Sequence, residues 1–238
     1  MVELCDKPRV LAVIPARGGS KRLPRKNVRL LSGHPMIAHT IIAARDARKL
    51  TDFAVSSEDE EILNIAMEYG VENVIRRPPI LATDDVRNIE VVKHALAVME
   101  EKRGFNYDMI MLLQPTAPIR KPGDIDEAVS LLWESDLDTL AAVKGPYQKR
   151  DPILKRINAD GILVKYRNDD DLDPREPFYI YNAALYAAKR DYFVKEHRFT
   201  SDRQVPFLMG QIYSTDVDEL ADFEIAEALM SAMNEGRI

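Results

Sequence analysis

The sequence predicts an α/β fold in which helices cover both faces of a mostly parallel β-sheet. Two observations carry this. Short β-branched apolar runs alternate along the chain with segments of helical periodicity. The runs are also nearly continuous, as strands buried on both faces must be, rather than alternating apolar with polar. At 238 residues the chain can bury a core without disulfide or metal staples, and residues 1–238 are read as a single domain.

The elements follow in order. Residues 8–15, PRVLAVIP, form the first strand, ARGGSKRLPRKN is a glycine-bearing loop, and Pro35 to Arg48 is a helix. FAVSS at 53–57 is the next strand. A helix from Asp59 to Tyr69 closes at Gly70, VENVI is a short strand, and a helix from about Val86 to Arg103 closes at Gly104. Both glycines stand where a helix C-terminus calls for a left-handed residue. YDMIMLLQP at 107–115 is a buried strand, and Pro122, whose missing N–H costs nothing in a first turn, opens a helix to Glu134. TLAAVK at 139–144 is a fifth strand.

Between Gly145 and Tyr181 the pattern loosens. ILKRI and ILVKY precede the acidic, proline-bearing loop NDDDLDPREP, which predicts an excursion from the sheet over 145–181, an interaction arm. The chain returns through YNAALYAA, a helix from Asp191 to Glu196, a strand FLMGQIYST, and a last helix in which Leu220, Phe223, Ala226, Met230 and Met233 share a face.

Composition removes several classes of function. With 46% hydrophobic and 30% charged residues, the chain is neither collagen-like nor disordered. No apolar run approaches the ~18 to 20 residues of a membrane span, and MVELCDKPRV lacks the apolar stretch of a signal peptide, so the cytoplasm is the expected location. Cys5 is the single cysteine, which removes an internal disulfide and a structural zinc site. His34, His39, His94 and His197 have neither HExxH spacing nor a Ser or Cys partner for a nucleophilic triad.

The net charge of -6 argues against a dedicated nucleic-acid binder, but the charge is unevenly spread. Between Lys7 and Arg45 stand nine cations and no carboxylate. The densest part is the loop Arg17, Gly18, Gly19, Ser20, Lys21, Arg22, Arg25, Lys26, Asn27. It combines glycines that allow close backbone approach with cations that repel one another unless an anion joins them. A polyphosphate satisfies that concentration of charge. The loop matches neither GxxxxGK[ST] nor GxGxxG, and a solvated basic turn is the alternative. Without interleaved aromatics, a nucleic-acid patch is disfavoured.

At the other end, Asp216 and Asp218 follow FLMGQIYST. In extended chain, residues two apart project to one side, about 6.5 to 7 Å apart, so both carboxylates converge on one hard cation. Magnesium takes one or two carboxylates and completes its shell with water and phosphate oxygens, which suits a partnership with the basic loop. The alternative is that Asp218 caps the last helix. Asp169, Asp170, Asp171 and Asp173 are read as solvated charge.

IPARGGSKRLPRKN at 14–27 resembles the signature of acylneuraminate cytidylyltransferases, which make CMP-activated sialic acids and related nonulosonic acids. RRPPILATDD at 76–85, LLQPTAPIR at 112–120, YNAALY at 181–186 and DVDELADFEIAE at 216–227 resemble that family's later blocks in the same order. The resemblance implies a three-layer α/β/α nucleotidyltransferase fold with a small dimerisation subdomain, a homodimer, and transfer of CMP from CTP to the anomeric hydroxyl of a nine-carbon sugar acid. It places Arg17, Gly18, Gly19, Ser20, Lys26 and Asn27 at the triphosphate, and Arg77 and Asn88 elsewhere on the nucleotide. Lys26 and Arg17 would neutralise charge at the α-phosphate and the departing pyrophosphate, while Asp216 and Asp218 would hold Mg2+. Gln114 and Tyr186 fall on the sugar side, with Arg175 and Lys155 as candidates for the sugar carboxylate. The family's NGA is Asn182-Ala183-Ala184 here, and the stretch from Arg175 to Asn182 is shorter, so the acceptor is expected to differ from N-acetylneuraminate. Two rival readings are a cytidylyltransferase for an octulosonic acid or other sugar acid, and a catalytically silent CTP-binding module.

Overall fold

The run VLAVIP becomes β1 (Val10–Pro15), whose six residues are all buried. Its side chains divide by the two-residue period of a strand. Val10, Ala12 and Ile14 enter one core cluster, while Leu11 and Val13 enter another on the opposite face. In the computed structural model, which describes residues 7–83, 85–147, 155–157, 163–165 and 178–238, β1 is an interior strand of a seven-stranded sheet.

The remaining elements are β2 (Leu30–Leu31), β3 (His34–Pro35), α1 (Met36–Asp46), β4 (Asp52–Ser57), α2 (Glu60–Glu68), β5 (Asn73–Arg76), α3 (Asn88–Arg103), β6 (Met109–Leu113) and α4 (Pro122–Trp133). They continue with β7 (Thr139–Tyr147), β8 (Lys155–Ile157), β9 (Leu163–Lys165), β10 (Phe178–Lys189), α5 (Arg190–Glu196), β11 (Val205–Leu208) and α6 (Leu220–Asn234). The large sheet runs β11-β7-β10-β6-β1-β4-β5. Neighbours are parallel except at β10, which is antiparallel to both β6 and β7.

The face of Val10, Ala12 and Ile14 is covered by Ile37 and Ile41 of α1, Ile62 of α2 and Ile125, Val129 and Leu132 of α4. The other face is covered by Val92, Leu96 and Met99 of α3 and Phe193 of α5. Each such side chain contributes about 1.5–3 kcal/mol on burial, and together they make the three layers that the alternation of elements predicts. A third cluster joins Leu23, Leu31 and Met36 to Val217, Phe223 and Ala226, so α6 packs on the loop that follows β1.

Three expectations are corrected. The strand expected over FLMGQIYST ends at Leu208. Beyond it Ser214 Oγ donates to the Gly210 carbonyl at 3.0 Å and the chain turns through a 3-10 segment at Ile212–Ser214. Asp216 and Asp218 therefore do not lie on a strand. Leu220, expected on the buried face of the last helix, is exposed at its first position. Of the excursion 145–181, the sheet claims more than expected. β7 runs on to Tyr147 and β10 already begins at Phe178, while β8 and β9 pair antiparallel in a separate two-stranded sheet. The acidic run at 169–173 lies outside the described residues. Among those described, no helix is long and apolar enough to cross a membrane.

His39 of α1 donates from Nε2 to the Leu31 carbonyl at 2.7 Å, tying the helix to β2. Burial lowers its pKa below the ordinary 6.5, with His34 adding to the effect and the Leu31 bond and Glu227 opposing it. A lowered histidine favours the unfolded state once protons bind. Its contribution is intact above 6.5 and is lost as pH falls from there toward the lower folded value. Chemical denaturation between pH 5 and 8 should accordingly show stability falling below about 6.5, with a shallower slope in His39→Gln.

Candidate active site

At the carboxyl ends of β1, β5 and β6 the chain leaves the sheet in loops, and these, together with Asp218, surround a cleft of about 720 Å3. This is where an open parallel sheet accepts ligands. Arg17, Ser20, Lys26, Asn27, Arg77, Asn88, Gln114 and Asp218 line it together, although they come from opposite ends of the sequence. Leu23, Leu81, Val86 and Val91 supply an apolar part of the wall.

The basic loop is braced from beneath. Gly18 N–H donates to Glu58 Oε1 at 2.8 Å, and a Cβ at position 18 would stand 2.1 Å from Asp59 Oδ2. Glycine at 18 thus lets the loop lie against the end of β4, and the expected role of its amide toward a ligand is corrected: that N–H is already bound within the chain. Gly19 is exposed with open space around it, and neither glycine lines the cleft. Asn27 Nδ2 donates to the Arg17 carbonyl at 2.9 Å, fixing where the loop leaves β1. Arg25 turns outward to pair with Asp59 and Glu61, so part of the cationic charge is neutralised by the segment after β4.

Arg77 is buried, and its Nη2 donates to the carbonyls of Ala16 at 2.9 Å and Ser56 at 2.6 Å. Burial draws this guanidinium below its ordinary pKa, and Glu58, 3.9 Å from Nε, opposes that. Much of the donor capacity expected to face a nucleotide is spent joining β1 to β4.

Lys26 makes the contact that unites the two ends. Its Nζ donates to the Val217 carbonyl at 2.6 Å and stands 3.3 Å from Asp218 Oδ1, 192 residues away in sequence. Arg22 reaches the other oxygen, Oδ2, at 2.9 Å. The capping alternative for Asp218 is overturned. Glu219 is the N-cap of α6, and Asp222 accepts from the N–H groups of both Asp218 and Glu219 at 2.9 Å. The segment docks on the loop after β6, where Val217 N–H donates to the Thr116 carbonyl at 2.7 Å. Burial raises the Asp216 pKa; the Thr116 hydroxyl bond lowers it, Asp218 raises it, and Lys26 lowers it. An environment that penalises an uncompensated negative charge fits a carboxylate that takes a cation. Among the described residues no group of three or more His, Cys, Asp or Glu is placed to hold a metal.

On the other side of the cleft, Gln114 is fixed at both ends of its carboxamide. Asn88 Nδ2 donates to its Oε1 at 3.2 Å, and its Nε2 donates to the Ala183 carbonyl at 3.0 Å. Ala183 has φ +60, and the pairing of β10 with β7 shifts register between Tyr181 and Tyr186. The left-handed backbone explains why glycine suits this position. Asn182 holds the turn, its Oδ1 accepting from Ala184 N–H at 3.1 Å and its Nδ2 donating to Ser214 Oγ at 2.9 Å, close to Asp216 in sequence. Tyr186 lies behind the turn. Burial raises its hydroxyl pKa, and the charges of Tyr181 and Asp216 add to this. Lys155 falls in β8, where side chains are not described, and Arg175 is outside the described residues.

Glu58, Asp59 and Ser214 were not singled out from sequence. The signal for the first two was their place directly after β4, at the sheet edge where ligand loops gather.

Residues 11–236 match the family described as Cytidylyltransferase. The chain is 35% identical over 234 residues to the CMP-N,N'-diacetyllegionaminic acid synthase of Legionella pneumophila, covering 97% of this chain and 100% of that protein. It is 32% identical over 222 residues to an N-acylneuraminate cytidylyltransferase of Streptococcus agalactiae, covering 90% of this chain and 51% of that longer protein. Its fold is similar to that of a CMP:2-keto-3-deoxy-manno-octonic acid synthetase complexed with CTP, with TM-score 0.67 at 19% identity, covering 94% of this chain and 99% of the other.

Replacing Ala183 by glycine relieves a left-handed alanine and should raise stability by about 1 kcal/mol, read as a higher midpoint of thermal or denaturant unfolding. A drop in the midpoint would mean that the Ala183 methyl is packed rather than strained.

Proposed function

The chain belongs to the cytidylyltransferase family, and on that footing we propose that it transfers CMP from CTP to the anomeric hydroxyl of a nonulosonic acid, releasing pyrophosphate. The observation that carries the assignment of the cleft is the Lys26 contact with Val217 and Asp218, which sets a basic loop against Asp218 in one cavity, while Asp216, two residues earlier, is not among the residues lining it. That arrangement suits a polyphosphate whose charge is shared between cations and a metal.

The acceptor hydroxyl oxygen attacks the α-phosphorus in line, a bond to that oxygen forms as its proton is released to the medium, and the bond from the α-phosphorus to the pyrophosphate oxygen breaks. Lys26, buried and held by the Val217 carbonyl, is pre-oriented to meet the negative charge that develops. Arg17 and Ser20 border the same cavity on the triphosphate side, and Asn88 borders it beside Gln114. Asp216 and Asp218 would hold magnesium, which when bound supplies charge neutralisation to the phosphates. Gln114 is assigned to orient the sugar acid with a carboxamide bonded at both ends, to Asn88 and to the Ala183 carbonyl, and Tyr186 is assigned to the same side by the family resemblance alone. The chain is assigned as a homodimer acting in the cytoplasm. Tyr179, Ile180 and Tyr181, each exposed by 41–47% at the start of β10, support a partner at that end of the strand.

The test is pyrophosphate release over CTP, UTP and ATP with sialic, legionaminic, pseudaminic and octulosonic acids. CTP with a nonulosonic acid should be turned over, chelation should stop the reaction, and Mg2+ should restore it. CTP binding without release, across all acceptors, would favour a silent nucleotide-binding module.

Lys26→Ala should lower turnover by ~10² to 10³ while remaining folded. Asp216→Ala should abolish the metal-dependent rate without loss of thermal stability, because the folded chain already disfavours that buried charge. Equal loss of folding and activity would return Asp216 to a structural role.

A further inference from the structure

Arg120 does not line the cleft, yet it touches the backbone on which the acceptor side is built. It is buried, and the hydrogen bonds of its guanidinium go to neutral oxygens. Nη2 donates to the Gln114 carbonyl at 3.3 Å and to the Ala184 carbonyl, and Nη1 donates to Thr40 Oγ1 of α1 at 3.4 Å. Burial lowers its pKa to about 10, with only the more distant charge of Asp124 opposing this. A cation kept in such a place with no carboxylate in hydrogen-bond contact among the described residues needs a geometric reason.

The reason lies in what the two carbonyls belong to. Gln114 is the first residue beyond β6, and Ala184 follows the left-handed Ala183 at the register shift of β10. The Gln114 side chain then bonds the Ala183 carbonyl on the cleft side. Positions 114, 183 and 184 are thus clamped from behind by one guanidinium and from the front by one carboxamide. Lysine, a point charge without the planar fork, cannot reproduce a grip on the end of β6, the irregular middle of β10 and a helix hydroxyl.

We propose that Arg120 is a positioning residue for the acceptor half of the cleft, holding the Gln114 and Ala184 carbonyls so that the Gln114 carboxamide meets the sugar acid in one fixed orientation. The proposal rests on the assignment of Gln114 to the acceptor, made above.

The test compares Arg120→Lys with wild type in three measurements: the acceptor KM at saturating CTP, the CTP dissociation constant by calorimetry, and amide hydrogen exchange. The expected result is an acceptor KM raised about tenfold or more, a CTP constant within about twofold, and faster exchange at residues 182–186 with none at 17–27. A merely structural arginine would move both substrates together or lower only the unfolding midpoint, and either result overturns the proposal. So does unchanged exchange at 182–186. Should Arg120→Lys fail to fold, Thr40→Val removes one acceptor from the far end of the guanidinium. It is read by the same split between acceptor and CTP, with an unchanged acceptor KM overturning the proposal. A wild-type chain that turns over none of the sugar acids overturns the reading of the cleft itself, a result distinguishable from an active wild type whose variant is indifferent.

Discussion

The hydrogen bond from Lys26 to the Val217 carbonyl is the constraint on which the site depends. A lysine so nearly buried must find oxygen, and the oxygens it finds belong to the far end of the chain. That contact joins the end of the basic loop to the 217–218 segment on the wall of the cleft. It also gives the hydrophobic cluster of Leu23, Leu31, Met36, Val217 and Phe223 its function, since this packing holds α6 and the 216–218 segment against the loop.

The fold was legible because buried strands and amphipathic helices leave their periods in the sequence, and β1, β4 and β6 run close to the stretches that apolar patterning marks. The family blocks likewise brought Arg17, Lys26, Gln114 and Asp218 to one cavity. What escaped were features decided by neighbours distant in sequence. FLMGQIYST has strand propensity throughout, but Ser214 bonding back to Gly210 ends the ladder early. Asp218 has an ideal cap sequence around it, yet Asp222 takes both amides. Glu58 is one acidic residue among several in EDEE, and only the approach of Gly18 singles it out.

The two buried arginines show one device applied twice. Arg77 joins the carbonyls of Ala16 and Ser56 on the basic side of the cleft, and Arg120 joins those of Gln114 and Ala184 on the other. A rigid planar donor satisfies several carbonyls at once where strands splay apart and their ladder bonds end. The cleft is thus bordered by backbone whose polar groups are satisfied from within, which leaves the lining side chains to deal with a ligand.

The pairing of residues 26 and 217 also bears on biosynthesis. A ribosome makes the basic loop early and the segment that completes the cavity almost two hundred codons later. A nascent chain can form β1, β4 and β5 with their helices long before it owns a finished pocket. A cavity that needs both clusters is therefore assembled only once residues 217 and 218 have been made.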